Sequence, residues 1–476
     1  MNIAIVGGGT AGWISAFYIA KAQPGVHKIT VIESSKIGII GTGEGSTGTL
    51  VDLLTGHYFD YKIPIEKFLQ ETDSTIKMGI RHENWSPDIA SYFAPLDFTP
   101  TAFTLDDMIF KYVLQRYGNK NIHLASKIGI EYENSIHDTP YALHFDGHKV
   151  GKFFKDICTT EDNVKLIDAE IVKVNTDTSG IQQLSLSTGE LIEADLYIDC
   201  TGFARILMKN LDVEWVDRSD VLPVNTAMPF QVPYSKGENI IPETKATALS
   251  AGWMWNIPLT TRRGCGYVFD KKFITREDAQ REVETYLQTK IKPIKWIEFT
   301  SGYSDVFWKN NTICLGLSSA FVEPLEATSI HNTIIQVGLF VNQFLNKDKE
   351  DTITDVHQEL YNERIKFLNE LTIDFISLHY QGGRTDTPFW RNIKQNNICT
   401  PHSERFLNLA KNTIPGMTAL EGMYGSFSVP LINWILSGMN ILDKDIANKD
   451  LHKTGKYHIA RNMYQQFYKE VISRQF

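Results

Sequence analysis

The sequence predicts an α/β fold built on short strands that run into glycine turns, and three stretches carry that prediction. The first is Asn2-Ile-Ala-Ile-Val6, a β-branched apolar run that ends in Gly7-Gly8-Gly9-Thr10-Ala11-Gly12 and continues into a helical stretch, Trp13–Ala20. Strand, glycine turn and helix in that order are the context in which G-x-G-x-x-G reads as a dinucleotide fingerprint. Gly7 allows the tight turn, Gly9 lets a pyrophosphate approach the backbone, and Gly12 lets helix and strand pack closely. The amides of Thr10 and Ala11, at the helix start, face the same diphosphate. A second strand, Lys28–Ile32, delivers Glu33, an acid placed to bind a ribose. It follows Gly12 by 33 − 12 = 21 positions, close to the roughly 20 of the fingerprint. The other two stretches are Ala194–Gly202, which brings Asp199 and Gly202 to a turn, and Asn311–Gly316. The unit is therefore Rossmann-type. Two strand-to-turn endings separated by a β-rich insertion favour flavin adenine dinucleotide (FAD) over NAD, by analogy with known folds.

Composition narrows the class of protein. The chain has 476 residues, 42% hydrophobic and 22% charged, which suits a globular protein of two or three domains. A net charge of −9 argues against nucleic acid or an anionic membrane as the main partner. The five cysteines, at 158, 200, 265, 314 and 399, form no CxxC pair. They suit a reducing cytoplasm, and no metal-ligand spacing is present. The first residues carry no basic leader, and no apolar run approaches the length of a membrane span.

Between the glycine turns the chain alternates elements. Ile37–Leu50 is a loop rich in glycine and small hydroxyl residues that lets backbone approach a ligand, with Gly41, Glu44 and Gly45 as candidate cofactor contacts. Val51–Gln70 reads as helical, Ser74–Trp85 as strand-like, Phe103–Gly118 as a helix, and Tyr141–Phe154 as leading into another. Lys77, in the strand-like stretch, reads on its own as a snorkelling surface lysine. Val164–Leu196 holds several short strands, and Val224–Tyr303 alternates strands around Gly252–Pro258. Trp253 and Trp255, at i and i+2, share one face of their strand. A helix is expected from Asn332 to Phe344, and Glu323 and Glu326 before it read as helix caps. The expected division is a core over residues 1–350, with its β-rich insertion at about 210–305, and a mostly helical region over 351–476.

Taken together, GGGTAGW, Lys77 in IKMGIRHENW, WMWNIP, YIDCTGF and FVEPLEATSIH resemble the flavin-dependent halogenases of the tryptophan halogenase type. Asp374–Tyr380 and Pro388–Trp390 extend the resemblance to about residue 390, and Trp434–Gly438 does so more loosely. The resemblance implies an FAD-binding domain of the flavin monooxygenase kind, a β-sheet substrate region and a helical C-terminal region. It implies FADH2, supplied by a separate flavin reductase, and O2, which together oxidise a halide (chloride, bromide or iodide) to hypohalous acid. Thr328 and Ser329 would hold the halide, and Leu325, Ile330 and Gly316 would join the cofactor contacts. Lys77 would receive the hypohalous acid by hydrogen bond or as a haloamine. Glu326 would stabilise the cationic ring and take its proton. Trp253, Trp255, Ile257 and Pro258 would form a wall between flavin and substrate.

Departures from the family pattern bear on detail. Gly316-Leu317 stands where the flavin monooxygenases usually carry Gly-Asp, Ala327 where serine commonly follows the glutamate, and the C-terminal region is shorter than in tryptophan-specific members. The resemblance thus implies a small electron-rich indole, pyrrole or phenol as acceptor, in preference to free tryptophan. Homo-oligomerisation is left open. An FAD-dependent aromatic hydroxylase and a non-catalytic nucleotide-binding protein are the alternatives, although neither gives Lys77 or WMWNIP a task.

Overall fold

The computed structural model describes residues 1–38, 43–96, 108–121, 141–345, 355–415, 427 and 429–473. Gly41 and the start of the helix expected from Phe103 lie outside them. Six strands form the first sheet, in the order Trp308–Lys309, Thr312–Cys314, Leu196–Asp199, Asn2–Val6, Lys28–Glu33, Val164–Asp168, parallel except at the outermost pair of the first edge. Three neighbouring strands end at Gly7, Gly202 and Gly316, so the glycine turns foreseen in the sequence converge on one edge of this sheet. The helix Thr10–Ala22 is buried continuously from Gly12 to Ala20. It packs against Gly147–Cys158 on one side and Thr328–Phe340 on the other, which explains why it is apolar all round.

The second layer is a seven-stranded sheet in the order Ile297–Glu298, Thr226–Val232, Arg263–Phe269, Gly252–Pro258, Glu243–Ala248, Gly79–Glu83, Ser91–Pro95. Its last two strands come from the N-terminal part of the chain, and Gly79–Glu83 runs parallel to Glu243–Ala248. The strand-like stretch Ser74–Trp85 is therefore two strands in two sheets. Thr75–Lys77 joins a small sheet with Glu44–Gly45 and Ala142–Phe145, and Gly79–Glu83 joins the large one. Met78 makes the step, its N–H donating to Pro242 and its carbonyl accepting from Leu96.

Several expected boundaries move. The helix expected over Val51–Gln70 is two, Gly48–Thr55 and Ile65–Glu71. Gly56 closes the first in a left-handed conformation (φ 83°), and Pro64 precedes the second. A helix, Arg276–Leu287, interrupts the stretch read as strands; Thr275 caps it by accepting from the Asp278 amide. The helix expected from Asn332 begins at Thr328 and gives way to a π turn at Val341–Leu345. The C-terminal helices run from Asp355–His379 to Tyr457–Ser473, and one apolar core runs from Ile3 to Ala447.

Trp253 and Trp255 do share a face, with ring centroids 6.2 Å apart. The Trp255 indole lies over Gly266 on the adjacent strand, where a Cβ would come within 2.1 Å of the ring. Gly266→Val is expected to cost about 1–3 kcal/mol by overpacking, read as a lowered unfolding midpoint with displaced tryptophan fluorescence. An unchanged midpoint would mean that the indole is not seated there.

Candidate active site

The glycine turn at the first strand is tightly packed at Gly7 and Gly12 and open at Gly9. A Cβ on Gly7 (φ 114°) would meet the Cys200 carbonyl at 2.2 Å, and one on Gly12 would meet Gly7 O at 1.9 Å. Gly9, by contrast, opens onto free space. The helix that starts at Thr10 has no side-chain cap, which leaves its first amides available. Thr10 itself donates its hydroxyl to Gly147 O (3.0 Å), and Ala11 packs under Gly316, where a Cβ would come within 2.6 Å. Glu33 stands at the end of its strand, accepting from the Trp13 indole (3.0 Å) and paired with Lys155. Asp199 is fully buried; it accepts from Thr201, Ser318 and the amides of Leu207 and Met208, so it shapes the turn from inside. Leu325 and Ile330 are core residues. Burial and the nearby charge of Asp146 push half-buried Glu44 up to about 7.

Lys77 is not a surface lysine. It is 1% exposed, and its ammonium donates to the Ser46 carbonyl (2.9 Å). Ser46 is fixed in turn by two hydrogen bonds with the Leu143 backbone. Gly45 is the meeting point of the site: a Cβ there would lie 3.3 Å from both Lys77 Nζ and Ala327. Ala327 holds a left-handed conformation (φ 56°) that turns the chain from Pro324–Glu326 into the helix at Thr328. Burial lowers the Lys77 ammonium to about 8, against the opposing pull of Glu326.

Neither expected cap acts as a cap. Glu326 is 8% exposed; its Oε1 lies 2.9 Å from His379 Nε2 and 3.6 Å from His82 Nε2. Burial would raise its carboxyl, but the hydrogen bond from His379 and the nearness of both imidazoles outweigh it and hold the group at about 2. Glu323, three residues earlier, goes the other way. Fully buried, it rises to about 7, although Tyr380 (2.6 Å) and the Trp253 indole (3.1 Å) both donate to it. Two neighbouring carboxyls pushed apart in this way mark a site with divided roles.

The tryptophan strand is tied to the lysine strand through the Thr75 hydroxyl, which donates to Pro258 O (2.6 Å). Ile257 is buried beside it. Trp253 also meets Trp85, itself edge-on to His379, Tyr380 and Trp390. Thr328 and Ser329 form the first turn of their helix and, with Gly316, Phe321 and Asn332, line a small cleft toward the nucleotide sheet. The helix start thus places Glu326 beside His379 and its first turn beside Gly316. Sequence reasoning missed His82, His379 and Tyr380 as site residues. Their signal in the sequence is their place inside the resemblance stretches IKMGIRHENW and Asp374–Tyr380, which does not single them out as site residues.

The fold joins a Rossmann-type α/β unit to a large sheet, and the site between them holds a buried lysine, a buried carboxylate and a cluster of tryptophans. The tryptophan halogenase family profile matches residues 2–449. The tryptophan 7-halogenase RebH of Lentzea aerocolonigenes is 31% identical over 467 residues, covering 91% of this chain and 87% of its own. The structure of a tryptophan halogenase from Shewanella frigidimarina superposes with a TM-score of 0.85 at 25% identity, covering 98% of this chain and 95% of that one. Tar14, a tryptophan C-6 flavin-dependent halogenase, gives 0.83 at 26% identity, with 99% of each chain covered. The chain belongs to the tryptophan halogenase family and is a flavin-dependent halogenase.

The buried ammonium sets a pH signature. The Lys77 amine is neutral above about 8 when folded and above 10.5 when unfolded, so folding releases its proton between those values and stability rises with pH across that window. Lys77→Met is expected to be more stable than wild type below pH 8, by up to about 3 kcal/mol. Its advantage should shrink as pH rises toward 10.5 in paired denaturant titrations. A pH-independent difference would place the ammonium in water.

Proposed function

We propose that the chain halogenates an electron-rich aromatic, with Lys77 delivering the electrophile and Glu326 accepting the proton. The observation that supports this most is the lysine itself: a buried ammonium beside Gly45 and Ala327, in the field of a buried carboxylate. Burial of such a charge is expensive, and a purely structural role is served as well by an apolar residue.

Gly7, Gly9, Thr10, Ala11 and Gly12 would hold the diphosphate of FAD and Glu33 its ribose, with the Gly202 and Gly316 turns beside the ring end. Bound FADH2 with O2 supplies the two-electron oxidation of a halide to hypohalous acid. Thr328 and Ser329 would offer that halide their first-turn amides, a sensible anion site. Lys77, mostly protonated at neutral pH, would hydrogen-bond the hypohalous oxygen. As the ring carbon takes the halogen, the departing hydroxide takes a proton from Lys77 and leaves as water. The proton lost by the ring goes to Glu326, which the imidazoles keep ionised until then. Trp253, fixed by Glu323, would keep the substrate from the cofactor side.

The relatives named above are tryptophan halogenases, so free tryptophan joins indoles, pyrroles and phenols as a candidate acceptor. A separate flavin reductase, a cytoplasmic setting, the choice of halide and a core at residues 1–350 with a C-terminal region at 351–476 belong to the same reading. Incubation with FAD, a reductase, NADH, bromide and indole or tryptophan, followed by mass analysis, tests it. Brominated product is expected, and hydroxylated product would select the hydroxylase reading. Glu326→Gln is expected to keep flavin oxidation and hypohalous acid formation, read with a small-molecule trap, while halogenation falls about 10²–10⁴-fold. Lys77→Ala should lose halogenation and keep flavin binding; near wild-type product from either variant would remove that residue from the chemistry.

A further inference from the structure

His82, Glu326 and His379 bring three metal-ligand atoms within 4.8 Å of one another, all on buried side chains. Their spacing in sequence forms no metal motif, and the fold alone assembles them, from the large sheet, the turn before Thr328 and the end of the helix Asp355–His379. The two nitrogen-to-oxygen separations, 2.9 and 3.6 Å, straddle the roughly 3.3 Å expected between ligands bound at 2.0–2.1 Å in a tetrahedral site.

Two further observations point to a ligand. His82 is 0% exposed, and neither of its ring nitrogens has a partner within hydrogen-bond geometry; Glu326 lies 3.6 Å away, too long for a hydrogen bond. An imidazole stacked on Tyr92 and left unbonded in this way is costly unless something takes up its lone pair. His379, in turn, has the second-shell support typical of a metal-bound imidazole. Its Nδ1–H donates to the Phe375 carbonyl (3.0 Å), which leaves Nε2 as the nitrogen open to a metal, and a bound ion would displace the proton that Nε2 shares with Glu326.

We propose that His82, Glu326 and His379 bind one divalent transition-metal ion of the Zn2+ kind, and that this ion inhibits halogenation. Two imidazoles and one carboxylate suit zinc or cobalt rather than magnesium or calcium. The bound ion takes the Glu326 oxygen that would otherwise accept the substrate's proton. The inhibitory consequence rests on the proposed function; the metal site does not.

Chelator-treated protein titrated with Co2+ tests the site directly. The expected result is one ion per chain, with visible absorption bands of a nitrogen and oxygen site and displacement by Zn2+. His82→Phe keeps the ring stacked on Tyr92 and removes one ligand, and Glu326→Gln removes another. In whichever variant retains the wild-type melting temperature, Co2+ affinity should fall by about 100-fold or more. In wild type, the Zn2+ concentration that fills the site should also suppress halogenated product while flavin oxidation continues. Substoichiometric Co2+ binding, or binding unchanged in a folded variant, overturns the site. Stoichiometric binding without loss of product overturns the inhibition, and absence of product even before metal is added counts against the proposed function instead.

Discussion

A carboxylate removed from water needs a proton or a positive charge close by, and Glu326 finds it in His379. The Phe375 carbonyl only accepts, so Nδ1 of His379 must carry hydrogen. The 2.9 Å contact between its Nε2 and Glu326 then holds a further proton between the two. That requirement organises the rest of the chamber. The helix Asp355–His379 must end there, and its next residue, Tyr380, donates to Glu323, which in turn fixes Trp253. Lys77 enters from the other side on a strand pinned through Ser46 and Thr75.

The left-handed turn at Ala327 separates Glu326 from the helix that starts at Thr328. Before it, Glu326 meets the histidines and acts electrostatically on the buried lysine; after it, the uncapped first turn of the next helix lies beside Gly316. A non-glycine residue at φ 56° carries roughly 1–2 kcal/mol of strain, and such strain clusters where geometry serves function. In the proposed reading the separation lets oxidant form on one side and be used on the other. Gly45 is what allows the two sides to close together, since any side chain there would press on both Lys77 and Ala327.

The nucleotide half was legible because its logic is local. Glycine spacing, strand composition and the acid at the second strand's end lie within the first 33 residues, where the structure packs Gly7 and Gly12 tightly and leaves Gly9 open. The chamber was legible only through resemblance. Burial of Lys77 depends on Ser46, Gly45 and Ala142, partners supplied by a sheet whose strands are far apart in sequence. Glu323 and Glu326 stand before a helix, as caps do, and only tertiary contacts with residues 253, 379 and 380 reassign them. His82 was covered by the motif IKMGIRHENW but not readable as a site residue, because the break at Met78 that sends it into a different sheet from Lys77 is set by Pro242 and Leu96. The helix at Arg276 was readable and passed over, since Thr275 with Asp278 three residues on is a cap signature.

In the proposed reading, halogen transfer takes place at the buried Lys77 and Glu326 rather than in solution. The most direct measurement is the yield of halogenated substrate per FADH2 oxidised, with and without excess of a bulky scavenger of free hypohalous acid. Enclosed transfer predicts a yield that the scavenger leaves unchanged. Suppression to the extent seen when substrate reacts with added hypohalous acid under the same scavenger would contradict it.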